Sequence, residues 1–159
     1  MLLRAGGGGS QIKHAMIALG TLQHVPGGFI NTEIAFDQIW EDPYGIVTAA
    51  ALAAHTIPIP GSARYYRILA NFHWKNTVAV GTIVQAFHKV DPGARFPQGT
   101  SGYALQAYNS GAFGQYGTMI SGWIANTPGD LPKIMIEHSD AVNTLDLDAG
   151  QSFMDVQWY

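Results

Sequence analysis

Six histidines are the side chains of this sequence best suited to metal binding or acid–base chemistry. They are His14, His24, His55, His73, His88 and His138. No two of them lie within four residues of each other, and there is neither a His-x-His pair nor a His-Glu-x-x-His motif. Folding could still bring His73 and His88 together from different strands. Without a spacing motif, separate imidazoles on surfaces or interfaces are the simpler interpretation, and we predict no histidine metal site.

Patterns for nucleophilic catalysis and phosphate binding are missing as well. The sequence contains no cysteine, which excludes thiol catalysis and thiolate metal sites. Ser121-Gly122 is not part of a Gly-x-Ser-x-Gly elbow. The run Gly6 to Gly9 lacks the Lys-Ser/Thr of a phosphate-binding loop. We therefore predict a protein that is not an enzyme, with no catalytic residue and no cofactor.

Two sets of loop side chains leave weaker alternatives open. Carboxylates could hold calcium, and they cluster at Asp37, Glu41 and Asp42 and again at Asp140, Asp146 and Asp148. Aromatic rings could stack on a sugar, and the loops carry Trp40, Tyr44, Phe96, Tyr103 and Phe113. No EF-hand pattern accompanies the carboxylates. Solvated turns and packing anchors are therefore the simpler interpretations.

The shortage of charge points to surfaces covered by other subunits. Asp, Glu, Lys and Arg make up 12% of the 159 residues, against about 25% in a typical soluble domain. A monomer usually needs a charged surface to stay soluble. The net charge is −3 and there are only 8 basic residues, so we expect no nucleic-acid partner. The longest apolar stretch, Ile46 to Ala54, is too short to span a membrane, so we expect no membrane partner.

The chain divides into a short arm and one domain. Residues 1–11 form a flexible arm because Gly6, Gly7, Gly8 and Gly9 lie in a row. Its start, which includes Leu2, Leu3 and Arg4, lacks the apolar stretch of a signal peptide, so we expect a product made in the cytoplasm. Residues 12–159 form the second unit. The arm's leucines and glycines suit close contact with a partner surface.

Strand patterns dominate the second unit. In Arg64 to Trp74, Tyr66, Ile68, Ala70, Phe72 and Trp74 share one face, and Tyr65, Arg67, Leu69, Asn71 and His73 share the other. Val78 to His88 is apolar on both faces, which is typical of a strand covered on both sides. Ile46 to His55 is either a short helix or extended chain. Eight to ten short strands separated by turns predict an all-β fold, an antiparallel β-sandwich or jelly roll.

Further strand boundaries follow from the same patterns. Ala15 to Val25 is predicted as one strand. Phe29 to Asp37 is predicted as another, with Ile30, Thr32, Ile34 and Phe36 on one face. Trp40 to Gly45 is predicted as a loop because of its Asp-Pro and Gly breakers.

Three segments of the second unit form a pattern in their order along the chain. The first is Ile57-Pro58-Ile59-Pro60-Gly61, which precedes the strand that starts at Tyr65-Tyr66. The second is Gly129-Asp130 before Ile134-Met135-Ile136-Glu137-His138, and the third is the closing segment from Ser152 to Trp158. Together they resemble the tumour necrosis factor-like and complement-type globular domains, although Asp155 stands where the family has glycine. The resemblance implies a ten-strand jelly roll that assembles as a homotrimer.

In such trimers one sheet of each subunit packs around the three-fold axis. Candidate interface residues are Tyr65, Leu69, Ile83, Phe87, Tyr108, Tyr116 and Trp123. The alternative is that these side chains simply fill the core of a monomer.

Taken together, these features favour a structural protein of a virus particle. We expect a trimeric bacteriophage capsid decoration or cement protein, made in the host cytoplasm and placed on the capsid surface. Its arm, with Leu2, Leu3, Arg4 and the four glycines, would bind the major capsid protein. The alternative is a trimeric fibre or spike head that binds host-surface glycans, which predicts a long shaft before residue 12.

Overall fold

The computed structural model describes residues 11–75, 82–91, 107–108 and 115–159. Its strands are β1 (Lys13–Ala18), β2 (Gln23–Val25), β3 (Thr32–Glu33), β4 (Gln38–Glu41), β5 (Tyr65–Trp74), β6 (Ile83–Asp91), β7 (Ala107–Tyr108), β8 (Gln115–Ile120), β9 (Ile124–Ala125), β10 (Leu131–His138), β11 (Leu145–Leu147) and β12 (Phe153–Trp158). One short helix, α1 (Ala49–Ala53), lies between β4 and β5. Within the described residues, no helix has the length and hydropathy that a membrane-spanning segment requires.

The strands form two antiparallel sheets. The large sheet has the order β2-β11-β5-β12-β1-β4, and β8 and β9 also pair with β5. The small sheet has the order β3-β10-β6-β7. Neighbours in the sheets are far apart in sequence, since the last strand, β12, lies between β1 and β5. The fold is therefore a β-sandwich with jelly-roll connections, which confirms the predicted fold class.

The core lies between the two sheets, and β5 supplies its largest side chains. The residues predicted to share one face of this strand, from Tyr66 to Trp74, are all buried, while the alternating ones from Tyr65 to His73 are exposed or half-buried. The small sheet contributes buried residues to the same core, among them Ala86, Ile134 and Ile136. Burial of apolar side chains from both sheets is the main force that holds the sandwich together.

Strand β6 confirms part of another prediction. Val84 and Phe87 point to opposite faces of this strand and both are buried, as expected for a strand covered on both sides. The first part of the predicted strand, 78–81, lies outside the described residues.

Three predicted boundaries are wrong, each for a local reason. The segment Ala15 to Val25 is two strands, because the chain turns at Gly20, whose N–H bonds the Asp37 carboxylate. Only two residues of the predicted strand Phe29 to Asp37 are extended in a ladder, and Ile30 is exposed. Trp40 and Glu41 belong to β4, because β1 pairs with this strand at Gln38, Ile39 and Glu41.

The helix settles the question that the sequence left open at Ile46 to His55. It spans Ala49–Ala53, and Thr48 caps its start by accepting a hydrogen bond from the Ala51 N–H at 3.1 Å. Asp42 organises the turn before it, since its carboxylate accepts hydrogen bonds from the N–H groups of Ile46 and Val47.

Candidate functional site

The side chains that β5 directs away from the core form one surface with those of its neighbours. Arg67 and Leu69 of β5 lie beside Gln157 and Asp155 of β12, and β12 in turn lies beside β1. We call this surface the outer face. It consists of the residues of β1, β5, β8 and β12 that point away from the core, with Trp40 and Glu41 of β4 and the neighbouring Trp123 and Tyr159.

One half of the outer face is aromatic and apolar. The exposed fractions are 63% for Tyr116, 60% for Ile120, 41% for Tyr65 and 38% for Trp123. The Tyr159 ring lies 5.6 Å from that of Tyr65 and 4.8 Å from that of Trp123. These contacts hold the rings in fixed positions while leaving much of their area open to a partner. The half of the outer face toward β4 adds a contact between the rings of Trp40 and Phe153, whose centres are 5.5 Å apart.

A connected row of polar side chains crosses the outer face, and we call it the polar chain. From β4 to β5 it consists of Glu41, His14, Asp155, Gln157 and Arg67. His14 Nε2 lies 3.5 Å from Glu41 Oε1, and His14 Nδ1 lies 3.4 Å from Asp155 Oδ1. Gln157 Nε2 donates to Asp155 Oδ2 at 2.9 Å, and Gln157 Oε1 accepts from Arg67 Nε at 2.9 Å. The Arg67 guanidinium also lies 4.9 Å from the centre of the Trp123 ring.

Asp155 is the buried member of the polar chain. Only 9% of its side chain is exposed, although β12 turns it away from the core. Its Oδ1 accepts no hydrogen bond from any described residue. This oxygen lies close to His14 without a hydrogen bond, and the contact becomes an ion pair only when the imidazole is protonated.

A second polar group lies at the end of β5. His73 Nδ1 is 3.2 Å from Asp148 Oδ2, and Lys75 Nζ is 3.5 Å from Asp148 Oδ1. The His73 ring packs against that of Tyr116 at 4.4 Å. Ser152 is adjacent, but its Oγ bonds the backbone of His73 rather than its ring. This geometry orients the imidazole without coupling it to the serine as a nucleophile.

The structure places His73 and His88 on different sheets, and it corrects the interpretation of the histidines as surface or interface groups, because His88 and His138 are buried. His73 lies on the outer face of the large sheet, whereas His88 is buried within the sandwich on β6 of the small sheet. Burial away from water lowers the pKa of His88 below its ordinary value of 6.5. Across the described residues, no three His, Asp or Glu side chains meet in a group that could hold a metal ion.

The loop carboxylates are engaged in local hydrogen bonds. Asp140 accepts from the backbone N–H groups of Val142 and Asn143. Asp37 accepts from Gly20 N–H, and Asp42 from two N–H groups ahead of the helix. For Asp42 and Asp140 these arrangements match the interpretation as turn residues. Glu41 and Asp146 instead lie in the strands β4 and β11, and Asp148 is buried.

The structure divides the predicted interface residues between the two sheets. Tyr65, Leu69, Tyr116 and Trp123 come together on the outer face of the large sheet. The other three lie on the small sheet, Ile83 and Phe87 on β6 and Tyr108 on β7. Phe87 is 8% exposed, and the side chains of Ile83 and Tyr108 lie outside what the structure describes.

The predicted arm residues Leu2, Leu3, Arg4 and Gly6 to Gly9 lie outside the described residues. The first described residue, Gln11, borders a cleft of about 210 Å³ at the start of β1. The other lining residues are Lys13, Ser62, Ala63, Trp158 and Tyr159.

Sequence reasoning missed the polar chain and two members of the aromatic half, Ile120 and Tyr159. Ile120 could have been found from the alternation of Tyr116, Thr118 and Ile120 in β8. The polar chain carries no local signal, because its members come from four strands that only the sheet order places side by side.

Comparison with solved structures identifies the fold. An Eiger TNF structure from S. frugiperda superposes with a TM-score of 0.52, at 10% sequence identity, over 93% of this chain and 92% of that one. The chain has a tumour necrosis factor-like jelly-roll fold. No protein-family model matches the sequence, and the search of curated proteins gave no match. The predicted resemblance is thus confirmed for the fold of this jelly roll.

Proposed function

We propose that this jelly roll is a self-assembling structural module, a homotrimer whose subunits meet through the outer face. The observation that carries the proposal is the exposed aromatic and apolar surface formed by Tyr65, Tyr116, Ile120 and Trp123. Exposed aromatic and apolar side chains gathered on one face of a sheet are typical of association surfaces on soluble proteins. The fold shared with Eiger TNF and the low charged fraction of 12% support the same conclusion.

A three-fold assembly joins one patch of each subunit to a different patch of the next. The outer face is suited to this because its two halves differ. The aromatic half lies around β5, β8 and β9, and the acidic Glu41 and Asp155 lie toward β4 and β1. Large obligate interfaces are rich in aromatic residues and poor in charge, which matches the first half.

The finer proposal is that the trimer decorates a virus capsid, most simply that of a bacteriophage. The glycine-rich arm at residues 1–11 would bind the major capsid protein, and the module would act through binding and not through catalysis. Low charge, the absence of cysteine and the arm support this role. A fibre or spike head that binds glycans is the alternative, and shell co-sedimentation compared with glycan-array binding separates the two.

The experiment that tests trimer formation is the native mass of the full chain by light scattering, with Leu69→Asp as the variant. Leu69 lies between Asp155 and Ile120 in the sheet register. Covering a new carboxylate there without a partner opposes association by several kcal/mol. We expect the wild type to be a trimer and the variant to be a monomer or to aggregate.

The matched control is Val142→Asp. Val142 is 89% exposed in the turn after β10, so the new charge stays in water and the trimer should persist. Circular dichroism checks that each variant keeps its strands. A folded Leu69→Asp variant that remains a trimer would place the interface elsewhere, and a monomeric wild type would refute the proposed assembly.

A further inference from the structure

We propose that assembly of this protein is linked to proton uptake by His14, so that the trimer is strengthened as the pH falls. The inference rests on the proposed function, because it concerns what happens to the polar chain when a second copy covers the outer face. It is carried by the positions of the charges in that chain.

The charge count of the polar chain depends on a single proton. Glu41 and Asp155 each carry a negative charge near neutral pH, and Arg67 carries a positive one. With a neutral His14 the five side chains of the polar chain therefore have a net charge of −1, and with a protonated His14 their net charge is zero. The ring lies between the two carboxylates, 3.5 Å from Glu41 and 3.4 Å from Asp155, so the added charge arrives where it compensates both.

Covering the outer face makes this balance matter. Uncompensated charge is expensive in a desolvated contact, and solvent that screens Glu41 in a single chain is removed when a partner arrives. Asp155 is the most sensitive group, because its Oδ1 already accepts no hydrogen bond from the described residues. A protonated His14 supplies the missing positive charge to this oxygen, so the covered state holds the proton more tightly than the free one.

Lys13 is left out of this count because its charge is directed away from His14 and the two carboxylates. Lys13, the neighbour of His14 on β1, extends toward the ring of Tyr44, with Nζ 5.4 Å from the ring centre. On β12, Gln157 is neutral and links Asp155 to Arg67. The groups that face His14 from β4 and β12 are therefore the two carboxylates.

The second histidine of the outer face provides an internal contrast. His73 lies beside Asp148, which also contacts Lys75. These two charged groups already sum to zero when His73 is neutral, so protonation would create an excess charge. The same counting therefore predicts that His73 does not drive proton uptake on assembly.

The test measures self-association of the full chain by sedimentation equilibrium at about pH 5.5, 7.0 and 8.5, on both sides of the ordinary histidine pKa. We expect association to weaken by up to about tenfold per chain per pH unit as the pH rises through this range. Calorimetric dilution in two buffers of different ionisation heat should show uptake of about one proton per chain on assembly.

Two variants isolate the polar chain. In His14→Gln the side chain at position 14 cannot be protonated. In Glu41→Gln the polar chain has no net charge while His14 is neutral, because Asp155 and Arg67 compensate each other. Both should associate with little pH dependence, and Glu41→Gln should associate at high pH about as well as the wild type does at low pH. Glu41 is exposed on an edge strand, so its replacement keeps the test valid if His14→Gln folds poorly.

The control is His24→Gln, which should keep the wild-type association and its pH dependence. His73→Gln tests the internal contrast, and its pH dependence should match that of the wild type whatever its overall strength of association. His24 lies on β2 beside Asp146, at the opposite edge of the large sheet from β4. A trimer whose association does not change with pH overturns this inference and leaves the proposed assembly intact. Equal pH dependence in the wild type and Glu41→Gln also overturns it. A single chain at every pH overturns both proposals.

Discussion

Asp130 shows how the family-like motifs of this sequence meet in one buried network. Its carboxylate accepts a hydrogen bond from Thr127 N–H at 3.1 Å and contacts the Tyr66 hydroxyl at 3.4 Å, although Tyr66 lies 64 residues earlier. Gly129 precedes it with a φ of 91°, a conformation that favours glycine. The Gly-Asp turn and the tyrosine of β5 are thus physically linked, which explains why both residue types occur at these places.

His88 is the residue with the clearest effect of burial on a charge. It points into the sandwich opposite Ile134, and its Nε2 finds no hydrogen-bond partner among the described residues. Loss of hydration disfavours the charged ring and lowers its pKa. The unfolded chain, with the ordinary pKa of 6.5, therefore binds a proton at a higher pH than the folded chain does.

This difference predicts that acid destabilises the fold through His88. The stabilising preference for the neutral ring is fully present above about pH 6.5 and is lost as the pH falls toward the lower folded value, by at most about 1.4 kcal/mol per pH unit. Urea unfolding between about pH 7.5 and pH 5 should show a smaller loss in His88→Leu than in the wild type. His24→Leu, at an exposed site, is the control. Equal losses in all three proteins would contradict the prediction.

At the scale of elements, the sequence predicts best where a strand is long and half-buried. Every second residue of β5 faces the core, so its apolar alternation repeats five times and is hard to mistake. β4 was missed because Trp40 and Glu41 precede Asp-Pro, and because its pairing depends on β1, which lies more than 20 residues away. Edge strands of four residues carry too little pattern to be distinguished from loops.

Part of the candidate site could be predicted from the sequence, and part of it could not. Alternation identified Tyr65 and Leu69 as a separate face, and the structure confirms that face. It did not say which sheet each strand joins, and Phe87 therefore entered the same candidate list although β6 belongs to the small sheet. The polar chain depends entirely on sheet order, which no local sequence pattern contains.

The helix offers a prediction at this scale, because a helix of five residues depends strongly on its cap. Thr48→Ala removes the oxygen that accepts from Ala51 N–H, and we expect the free energy of unfolding to fall by about 0.5–2 kcal/mol. Thr48→Ser keeps that oxygen and should lose less. Urea unfolding compares the three proteins, and an equal loss in both variants would show that the threonine methyl group, and not the cap, is responsible.

For the whole molecule, the important relation is between the root of the arm and the far end of the sandwich. Gln11 lies near the start of β5, since it borders the same cleft as Tyr159, which bonds Arg64 and Tyr65. β5 runs 10 residues to Trp74, which pairs with β11, a length of about 33 Å for an extended strand.

Three exposed apolar residues, Phe29, Ile30 and Val142, lie at the Trp74 end of the sandwich, where the Phe29 N–H donates to the His138 carbonyl. A trimer built on the outer face would therefore carry its arms at one end and these loops at the other.

This geometry gives the last prediction, on deletion of residues 1–11. In the proposed trimer the three arms would leave from the same end, so each bound arm would raise the effective concentration of the others and weak single contacts would add up to firm attachment. The shortened chain should still form a trimer by light scattering, because the outer face is unchanged, but it should no longer co-sediment with capsid shells. Leu2→Ser with Leu3→Ser tests whether apolar contacts carry the binding, and Val142→Asp, at the opposite end, should bind shells normally. If the shortened chain occupies shells as fully as the wild type, the arm does not mediate attachment and the prediction is wrong.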